Sequence, residues 1–216
     1  MSFDNPNLVY LEYTDVLQLQ YPVVNLDSLV EAKLNILTLG VICDPSNLIK
    51  GLRNVKILSL AFPDTVEIFE KFHEAVPVFE KLYHLSITSV FEGFCISASS
   101  LPSLLKKCPN LQTLVIKGSS YGCDEFKYVC RHSSGNSCLL SSPVKVLELT
   151  MYKGSTKELG QIKRFLEELS CLELVKVCAS AKDDKAKLRI TTDLLMLPRA
   201  SSKCRIQVQF PSKPPY

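Results

Sequence analysis

The sequence lacks the features that mark an exported protein, a membrane protein or a nucleic-acid binder. Its first eight residues contain Asp4 and Pro6 and no basic segment followed by an apolar one, unlike a secretory signal. The most apolar stretch, residues 23–42, is interrupted by three charged residues and two asparagines, which are very unfavourable in hydrocarbon. The basic residues are spread along the chain, and the net charge is only +3. We therefore predict no membrane span and no nucleic-acid partner.

Residues that usually carry catalysis are also scarce. The chain has three histidines, which are His73, His84 and His132. A cysteine near a histidine can signal a nucleophile, but no acid accompanies these histidines in a recognisable catalytic pattern. The glycines at predicted strand ends and turns are Gly118, Gly122, Gly135 and Gly154. They do not form the glycine-rich cradle of a phosphate-binding loop, so we predict a non-catalytic protein without a cofactor.

The chain has nine cysteines, an odd number, and no recognisable export signal. Both features favour reduced thiols and a cytoplasmic or nuclear protein. One group has the sulfur and imidazole side chains that zinc accepts, and it consists of Cys123, Cys130, His132 and Cys138. Its C-x6-C-x-H-x5-C spacing lacks a close cysteine pair, and the segment is typical of a loop. We predict no metal site there.

The dominant feature of the sequence is a repeat. The pattern apolar-x-x-apolar-x-apolar occurs in seven copies, whose first positions are 21, 26, 27, 29, 33 and 28 residues apart. These intervals lie near or slightly above the length of a leucine-rich repeat. The copies are Leu8/Leu11/Tyr13, Leu29/Ala32/Leu34, Val55/Leu58/Leu60, Leu82/Leu85/Ile87, Leu111/Leu114/Ile116, Val144/Leu147/Leu149 and Leu172/Val175/Val177.

Each copy of the repeat predicts a short β-strand. The last two apolar positions are two residues apart, so both side chains point to the same face of an extended strand. One such strand buries too little apolar surface to be stable, whereas stacked strands form a continuous core. We therefore predict that the segments containing Leu60, Ile87 and Ile116 are successive strands of one parallel sheet.

Three segments between the strands have helical patterns of apolar residues. They are residues 64–76, residues 99–108 and residues 155–172. The N-cap candidates are Asp64 or Thr65 in the first and Thr156 in the last. Residues 180–187 form a mixed run of charges, which we interpret as a solvated loop.

These elements predict an α/β leucine-rich-repeat solenoid, with a curved parallel sheet and with helices and loops on its convex side. A doubly wound α/β domain also alternates strands and helices, but each of its connections carries a longer helix. The interval of 21 residues from Leu8 to Leu29 leaves room only for a loop, which favours the solenoid.

The concave face of such a sheet is the expected contact surface. Alternate strand residues point to it, and those predicted to contact a partner are Tyr10, Glu12, Glu31, Lys33, His84, Ser86, Thr113 and Lys117. Tyr10 and His84 are the best anchors, since large amphipathic side chains dominate interface energies. The same counting places Glu148 and Lys176 on this face. The alternative interpretation is that all of them are simply solvated sheet residues.

Parts of the sequence resemble a plant protein family. Residues 2–34, "SFDNPNLVYLEYTDVLQLQYPVVNLDSLVEAKL", resemble the repeat region of the F-box/leucine-rich-repeat proteins. Residues 138–177, "CLLSSPVKVLELTMYKGSTKELGQIKRFLEELSCLELVKV", and residues 194–210, "LLMLPRASSKCRIQVQF", are similar to the FBD domain that closes many of those proteins. The resemblance implies leucine-rich repeats over residues 1–134 and an FBD cap over residues 135–216.

The resemblance implies the substrate-recognition part of a cullin-RING ubiquitin ligase, in which an F-box binds the ligase adaptor and the repeats hold the target protein. This sequence opens in a repeat, with no F-box before Leu8, so we expect a protein partner but no direct binding to the adaptor. Such a chain could compete with full-length relatives. Two alternatives remain open. One is a truncated relative without activity, whose bare apolar N-terminal end would make it poorly soluble, and the other is a module that binds a small molecule in the concave pocket.

Overall fold

The computed structural model describes residues 1–38, 43–61, 63–92, 100–119, 139 and 141–211. The strands are β1 (Phe3–Asp4), β2 (Tyr10–Val16), β3 (Val24–Asn25), β4 (Glu31–Leu37), β5 (Ile57–Ala61), β6 (His84–Glu92), β7 (Thr113–Ser119), β8 (Val146–Tyr152), β9 (Leu174–Ala179) and β10 (Arg205–Gln209). The helices are α1 (Ser46–Gly51), α2 (Pro63–Lys71), α3 (Ser100–Lys106), α4 (Thr156–Glu168) and α5 (Asp184–Leu195).

Eight strands form one parallel sheet in the order in which they occur in the chain, β2-β4-β5-β6-β7-β8-β9-β10. Leu60 pairs with Ile87, and Ile87 pairs with Ile116, so the predicted succession of these strands is confirmed. A doubly wound domain would reverse the strand order at its switch point. The observed order has no such reversal, and the doubly wound alternative is wrong.

The core-facing side chains of this sheet are the apolar positions of the repeat. They form rows across neighbouring strands, and one such row contains Leu58, Leu85, Leu114 and Leu147, each 0% exposed. Full burial of one leucine side chain contributes about 1.5–3 kcal/mol relative to leaving it exposed. Helix side chains pack against these rows in a single apolar cluster. The core therefore runs the length of the sheet.

Successive strands are joined by the same backbone arrangement. The carbonyl oxygen of Val9 accepts hydrogen bonds from the N–H groups of both Val30 and Glu31, at 2.9 and 3.1 Å. The carbonyls that accept from two successive N–H groups of the next strand are those of Val9, Val30, Lys56, Tyr83, Gln112 and Lys145. Because this bond recurs at the same position, it fixes the register, and the register keeps every core position on one face.

The predicted helices are present as α2, α3 and α4. α2 packs against β4, β5 and β6 and against α3. α4 buries Ile162, Phe165 and Leu166 on one stripe, as its sequence pattern predicts. Among the described residues, no helix is long and apolar enough to cross a membrane.

The N-cap of α4 is one residue earlier than predicted. The Ser155 hydroxyl accepts a hydrogen bond from the N–H of Glu158 at 3.3 Å. The Glu158 carboxylate accepts in return from the N–H of Ser155 at 2.8 Å, which completes a capping box. The assignment of Thr156 is wrong because its backbone is already helical, whereas Ser155 is extended.

The cap predicted for α2 is also wrong, because Asp64 and Thr65 both lie inside that helix. Thr65 is 0% exposed, and its hydroxyl bonds to the N–H of Ile36 at 2.9 Å and to the carbonyl of Ile36 at 3.2 Å. Asp64 accepts a hydrogen bond from the N–H of Thr38 at 2.6 Å. These two polar side chains hydrogen-bond α2 to the end of β4.

The charged segment at residues 180–187 is not a loop throughout, because its second half forms the first turn of α5. Asp183 caps this helix by accepting a hydrogen bond from the N–H of Ala186 at 2.7 Å. Ile190 and Leu194, four residues apart, are buried. The interpretation of this segment as a solvated loop is therefore wrong for residues 184–187.

The N-terminal end of the core is covered on its apolar side. β1 pairs with β3 in a separate two-stranded sheet, and residues 8–29 contain no helix, as predicted. Phe3 lies edge-on to Tyr13 at 5.3 Å and stacks on Tyr21 at 6.1 Å between ring centroids. Leu11 and Tyr13 of the first sheet strand are consequently buried. The expectation of a bare apolar end is wrong for these core-facing side chains.

The sheet continues past the predicted domain boundary. β7 pairs with β8 in regular parallel register, with Leu114 opposite Leu147 and Ile116 opposite Leu149. The boundary between residues 134 and 135 lies outside the described residues. The strands on its two sides belong to one sheet and one core.

Candidate protein-interaction face

The face of the sheet opposite the core carries the alternate residues of every strand, and we name it the open face. The strand register arranges its side chains in rows. The first row contains Tyr10, Glu31, Ile57, His84, Thr113, Val146, Leu174 and Arg205. The middle row contains Glu12, Lys33, Ser59, Ser86, Val115, Glu148, Lys176 and Gln207. Strands are about 4.8 Å apart, so each row is about 34 Å long.

All the residues predicted to contact a partner lie on the open face. Tyr10, Glu31, His84 and Thr113 are in the first row, and Glu12, Lys33 and Ser86 are in the middle row. Lys117 lies two residues beyond the middle row along β7. Most of them are exposed or half-buried, but Ser86 is only 5% exposed. The alternation of the strands therefore predicts which face these residues occupy but does not predict how far each is exposed.

At the N-terminal end of the open face, three of these side chains form a hydrogen-bonded chain. Lys33 Nζ lies 2.6 Å from Glu12 Oε1, and the Tyr10 hydroxyl donates to Glu12 Oε2 at 2.8 Å. These bonds lower the pKa of the Glu12 carboxyl, and they raise the pKa values of the Tyr10 hydroxyl and the Lys33 ammonium. The three groups thus present a fixed charge pattern in their usual ionisation states.

A second ion pair lies in the same row toward the other end of the face. Lys176 Nζ is 2.7 Å from Glu148 Oε1, across β8 and β9. These two residues were predicted to face the same side, but their pairing was not predicted. The signal was present in the sequence, because opposite charges occupy equivalent positions in two consecutive repeats.

The middle of the open face is uncharged and closely packed. Ser59, Ser86 and Val115 are the middle-row residues of β5, β6 and β7, between the two ion pairs. Val115 is 5% exposed, and the Ser86 hydroxyl has no hydrogen-bond partner within the described part of the chain. The open face therefore has a neutral centre between two charged margins.

His84 lies beside this centre, in the first row. Burial lowers the pKa of its imidazole below the ordinary value of 6.5, against the opposing effects of Glu148 and Glu31 and with the help of Lys117. The side chain is therefore neutral near pH 7. It can donate one hydrogen bond and accept another from a partner.

The ionisation of His84 gives a pH prediction. The unfolded chain binds a proton at this site at higher pH than the folded chain does, so stability is lost as pH falls from 6.5 through the lowered pKa. We expect the NMR titration midpoint of His84 to lie below 6.5. His84→Gln should remove this part of the pH dependence of stability. A midpoint at or above the ordinary value would show that the imidazole is solvated.

Two cavities in the described structure lie away from the eight predicted residues. One of about 350 Å³ is lined by side chains that include Phe69, His73 and Leu104, beside α2 and α3. Another of about 370 Å³ includes Lys145 and Cys171. The zinc candidates Cys123, Cys130, His132 and Cys138 lie outside the described residues.

The chain is similar to several curated plant proteins. An F-box/LRR-repeat protein of Arabidopsis thaliana is 48% identical over 225 residues, which cover 96% of this chain and 36% of the relative. A second F-box/LRR-repeat protein of that plant is 46% identical over 230 residues, covering 96% of this chain and 47% of the relative. An F-box protein of the same plant is 47% identical over 213 residues, covering 97% of this chain and 48% of the relative.

The chain spans about half the length of the curated relatives it matches, or less. No family model matches the chain. No solved structure matches it either. The similarity to these relatives is therefore a similarity of sequence alone, and it extends over nearly all of this chain.

Proposed function

Since this chain belongs to the plant family of F-box/LRR-repeat proteins, we propose that it is a protein-recognition module and that its contact surface is the open face. The observation that carries the proposal is the row of fixed polar groups on that face, with Glu12–Lys33 and Glu148–Lys176 at its margins. The role is binding rather than catalysis. The residues proposed to contact the partner are Tyr10, Glu12, Glu31, Lys33, His84, Ser86, Thr113 and Lys117.

The two ion pairs support recognition because they are formed before any partner binds. Each lysine is held by a glutamate on the adjacent strand, so little side-chain freedom remains to be lost on association. The neutral centre between them is already largely shielded from solvent, with Val115 and Ser86 each 5% exposed, so a partner has few polar groups to desolvate there. A partner would match the charges at both margins.

The proposed architecture is a leucine-rich-repeat solenoid over residues 1–134, followed by an FBD cap over residues 135–216. The regular register from β2 to β7 supports the first part. The pairing of β8 with β7, and of β9 and β10 beyond it, supports an FBD unit that continues the same stack. Each unit then covers the apolar side of the next.

The proposed biological role is to hold a target protein for a ubiquitin ligase or to compete with relatives that do so. The matched relatives are named F-box and F-box/LRR-repeat proteins, and this chain matches only a part of each. The open face is assigned to the target and not to the ligase adaptor. The competing possibility is a chain that folds but binds no partner.

The test uses charge reversal on the two sides of the molecule. Lys33→Glu changes the open face, whereas Lys163→Glu changes α4, and the two side chains are similarly exposed at 43% and 52%. We expect proteins captured from plant extract by the wild type to be retained by Lys163→Glu and reduced at least about tenfold by Lys33→Glu, equivalent to about 1.4 kcal/mol.

The swap Glu12→Lys with Lys33→Glu serves as a second variant. It restores an ion pair on β2 and β4 with reversed polarity, so stability should recover while binding stays weak. Equal capture by all variants would move the contact surface away from the open face. If the wild type enriches no protein over an unrelated bait, the result would favour the competing possibility of a chain that folds but binds no partner.

A further inference from the structure

The cavity of about 350 Å³ lies on the core side of the sheet, away from the open face. It is bounded by the end of α2, by the turn that follows α2, and by α3. These two helices pack against each other, and their apolar side chains belong to the core of the molecule. Small-molecule sites have volumes of about 300–1,000 Å³. The cavity is therefore large enough to hold a small molecule.

The floor of this cavity is apolar. It consists of Phe69 from α2, Val76 from the turn and Leu104 from α3. Phe69 and Val76 are 4% exposed and Leu104 is 5% exposed, so the surrounding core holds each side chain in place. Covering the remaining apolar surface of the floor removes it from water, which is favourable. The floor therefore favours a ligand with an apolar body.

The rim of the cavity is rich in hydrogen-bond donors. It consists of His73, Glu74, Ser103, Lys106 and Lys107, and Glu74 is the one acid among the described lining residues. Within the part of the chain that the structure describes, none of these five side chains takes part in a hydrogen bond or an ion pair. The two ammonium groups thus carry positive charge that no described carboxylate contacts.

These lysines are not needed to satisfy the carbonyl groups at the end of α3. Cations are favourable in the last turn of a helix, because its free carbonyl groups carry partial negative charge. Here the carbonyl of Leu104 accepts from the N–H of Lys107 at 3.0 Å and from Cys108 Sγ at 3.2 Å. The carbonyl of Lys107 accepts from the N–H of Phe79 at 2.7 Å. Other donors already occupy these carbonyls, so both ammonium groups remain available.

The walls of the cavity are joined before any ligand binds. The bond from the Phe79 N–H to the Lys107 carbonyl connects the segment after α2 to the end of α3. Phe79 is itself 0% exposed, so this connection is anchored in the core. A preformed site loses little conformational freedom when a ligand binds.

We propose that this cavity binds a small organic anion, with its apolar body on the floor and its acidic group beside Lys106 and Lys107. The charges of the lining favour an anion over a cation, because two ammonium groups outnumber the one carboxylate. His73 and Ser103 add donors that suit a carboxylate or a sulfonate. The site lies on the other side of the sheet from the open face, so this inference does not depend on what that face binds.

The test uses two fluorescent probes that differ only in charge. 1-Anilinonaphthalene-8-sulfonate is the anion, and N-phenyl-1-naphthylamine is the same molecule without the sulfonate. We expect the anion to bind the folded chain saturably and to shift the NMR methyl signals of Val76 and Leu104. Lys106→Met keeps the aliphatic stem but removes the charge, so it should weaken binding of the anion about fivefold. Binding of the neutral probe should change little.

Further variants separate the site from general effects on the fold. Glu74→Gln removes the opposing charge and should strengthen binding of the anion about twofold, a gain that damage to the structure would not give. Ser103→Trp places a large side chain at the rim and should abolish binding of both probes. Glu74, Ser103 and Lys106 are all exposed, so the fold should tolerate these changes. Lys163→Met, on α4 and 52% exposed, is the control that should leave binding unchanged.

Three results would overturn the proposal. The first is the absence of saturable binding of the anion, and the second is binding that survives Ser103→Trp. The third is an affinity for the anion that neither Lys106→Met nor Glu74→Gln alters, since the acidic group would then have no role. Lys33→Glu, which tests the open face, should not change probe binding. A loss in that variant would place the probe on the open face and would also count against this site.

Discussion

Leu114→Ala is expected to lower the free energy of unfolding by about 3 kcal/mol, within the range of about 2–5 kcal/mol for leucine truncations in a core. Leu114 is 0% exposed in β7, and it lies between Leu85 and Leu147 in one row of the core. Strands on both sides and the helices behind it limit the collapse of the cavity. Urea denaturation, followed by circular dichroism, measures this loss. We expect a lower midpoint urea concentration and an unchanged dependence of the unfolding free energy on urea concentration.

The matched control is Leu188→Ala in α5. Leu188 is 68% exposed, so the same chemical change should alter stability by less than about 0.5 kcal/mol. A loss below about 1 kcal/mol for Leu114→Ala would mean that β7 is not held between two neighbouring strands. A weaker dependence of the unfolding free energy on urea, with separate transitions, would show instead that the repeats unfold in parts, as repeat proteins can.

The strands could be predicted from the sequence because their apolar positions are imposed by the stack itself. Each repeat needs two core-facing side chains two residues apart in its strand, as at Leu58 and Leu60, and a third before the strand, as at Val55. Those needs recur in each unit, so the interval between copies predicts both the strands and their order. Parallel register then follows from aligning the copies, for example Leu60 with Ile87.

Local capping was harder to predict. Ser155 and Thr156 are adjacent hydroxyl residues, and only the extended backbone of Ser155 decides which of them caps α4. In α5 the apolar stripe has just two buried members, Ile190 and Leu194, so the charged residues at its start dominate the pattern. The sequence signal for α5 is Asp183 as an N-cap candidate followed by the acidic Asp184 in the first turn, a weak pattern in any single sequence.

The open face was predictable in direction but not in detail. Alternation along each strand correctly places Tyr10, Lys33 and His84 on one side. Burial depends on the neighbouring strands, so a small residue such as Ser86 is covered although its direction was correct.

Glu158→Ala is expected to lower the free energy of unfolding by about 3 kcal/mol, since hydrogen bonds to a charged group contribute about 1.5–3 kcal/mol each. The Glu158 carboxylate is 3% exposed. It accepts from the N–H of Lys153 at 3.2 Å and from the N–H of Ser155 at 2.8 Å. Alanine would remove the acceptor of both and loosen the turn between β8 and α4. Urea unfolding measures the loss, and amide exchange at Ser155 locates it.

Glu158→Gln and Ser155→Ala separate the two halves of this capping box. Glutamine keeps one acceptor oxygen but turns an amide group toward the other N–H, so an intermediate loss of about 1.5 kcal/mol is expected. Ser155→Ala removes only the bond to the Glu158 N–H and should cost about 1 kcal/mol. If Glu158→Ala were as mild as Ser155→Ala, the buried carboxylate would contribute no more than an ordinary cap, and the β8–α4 turn would be held by its packing alone.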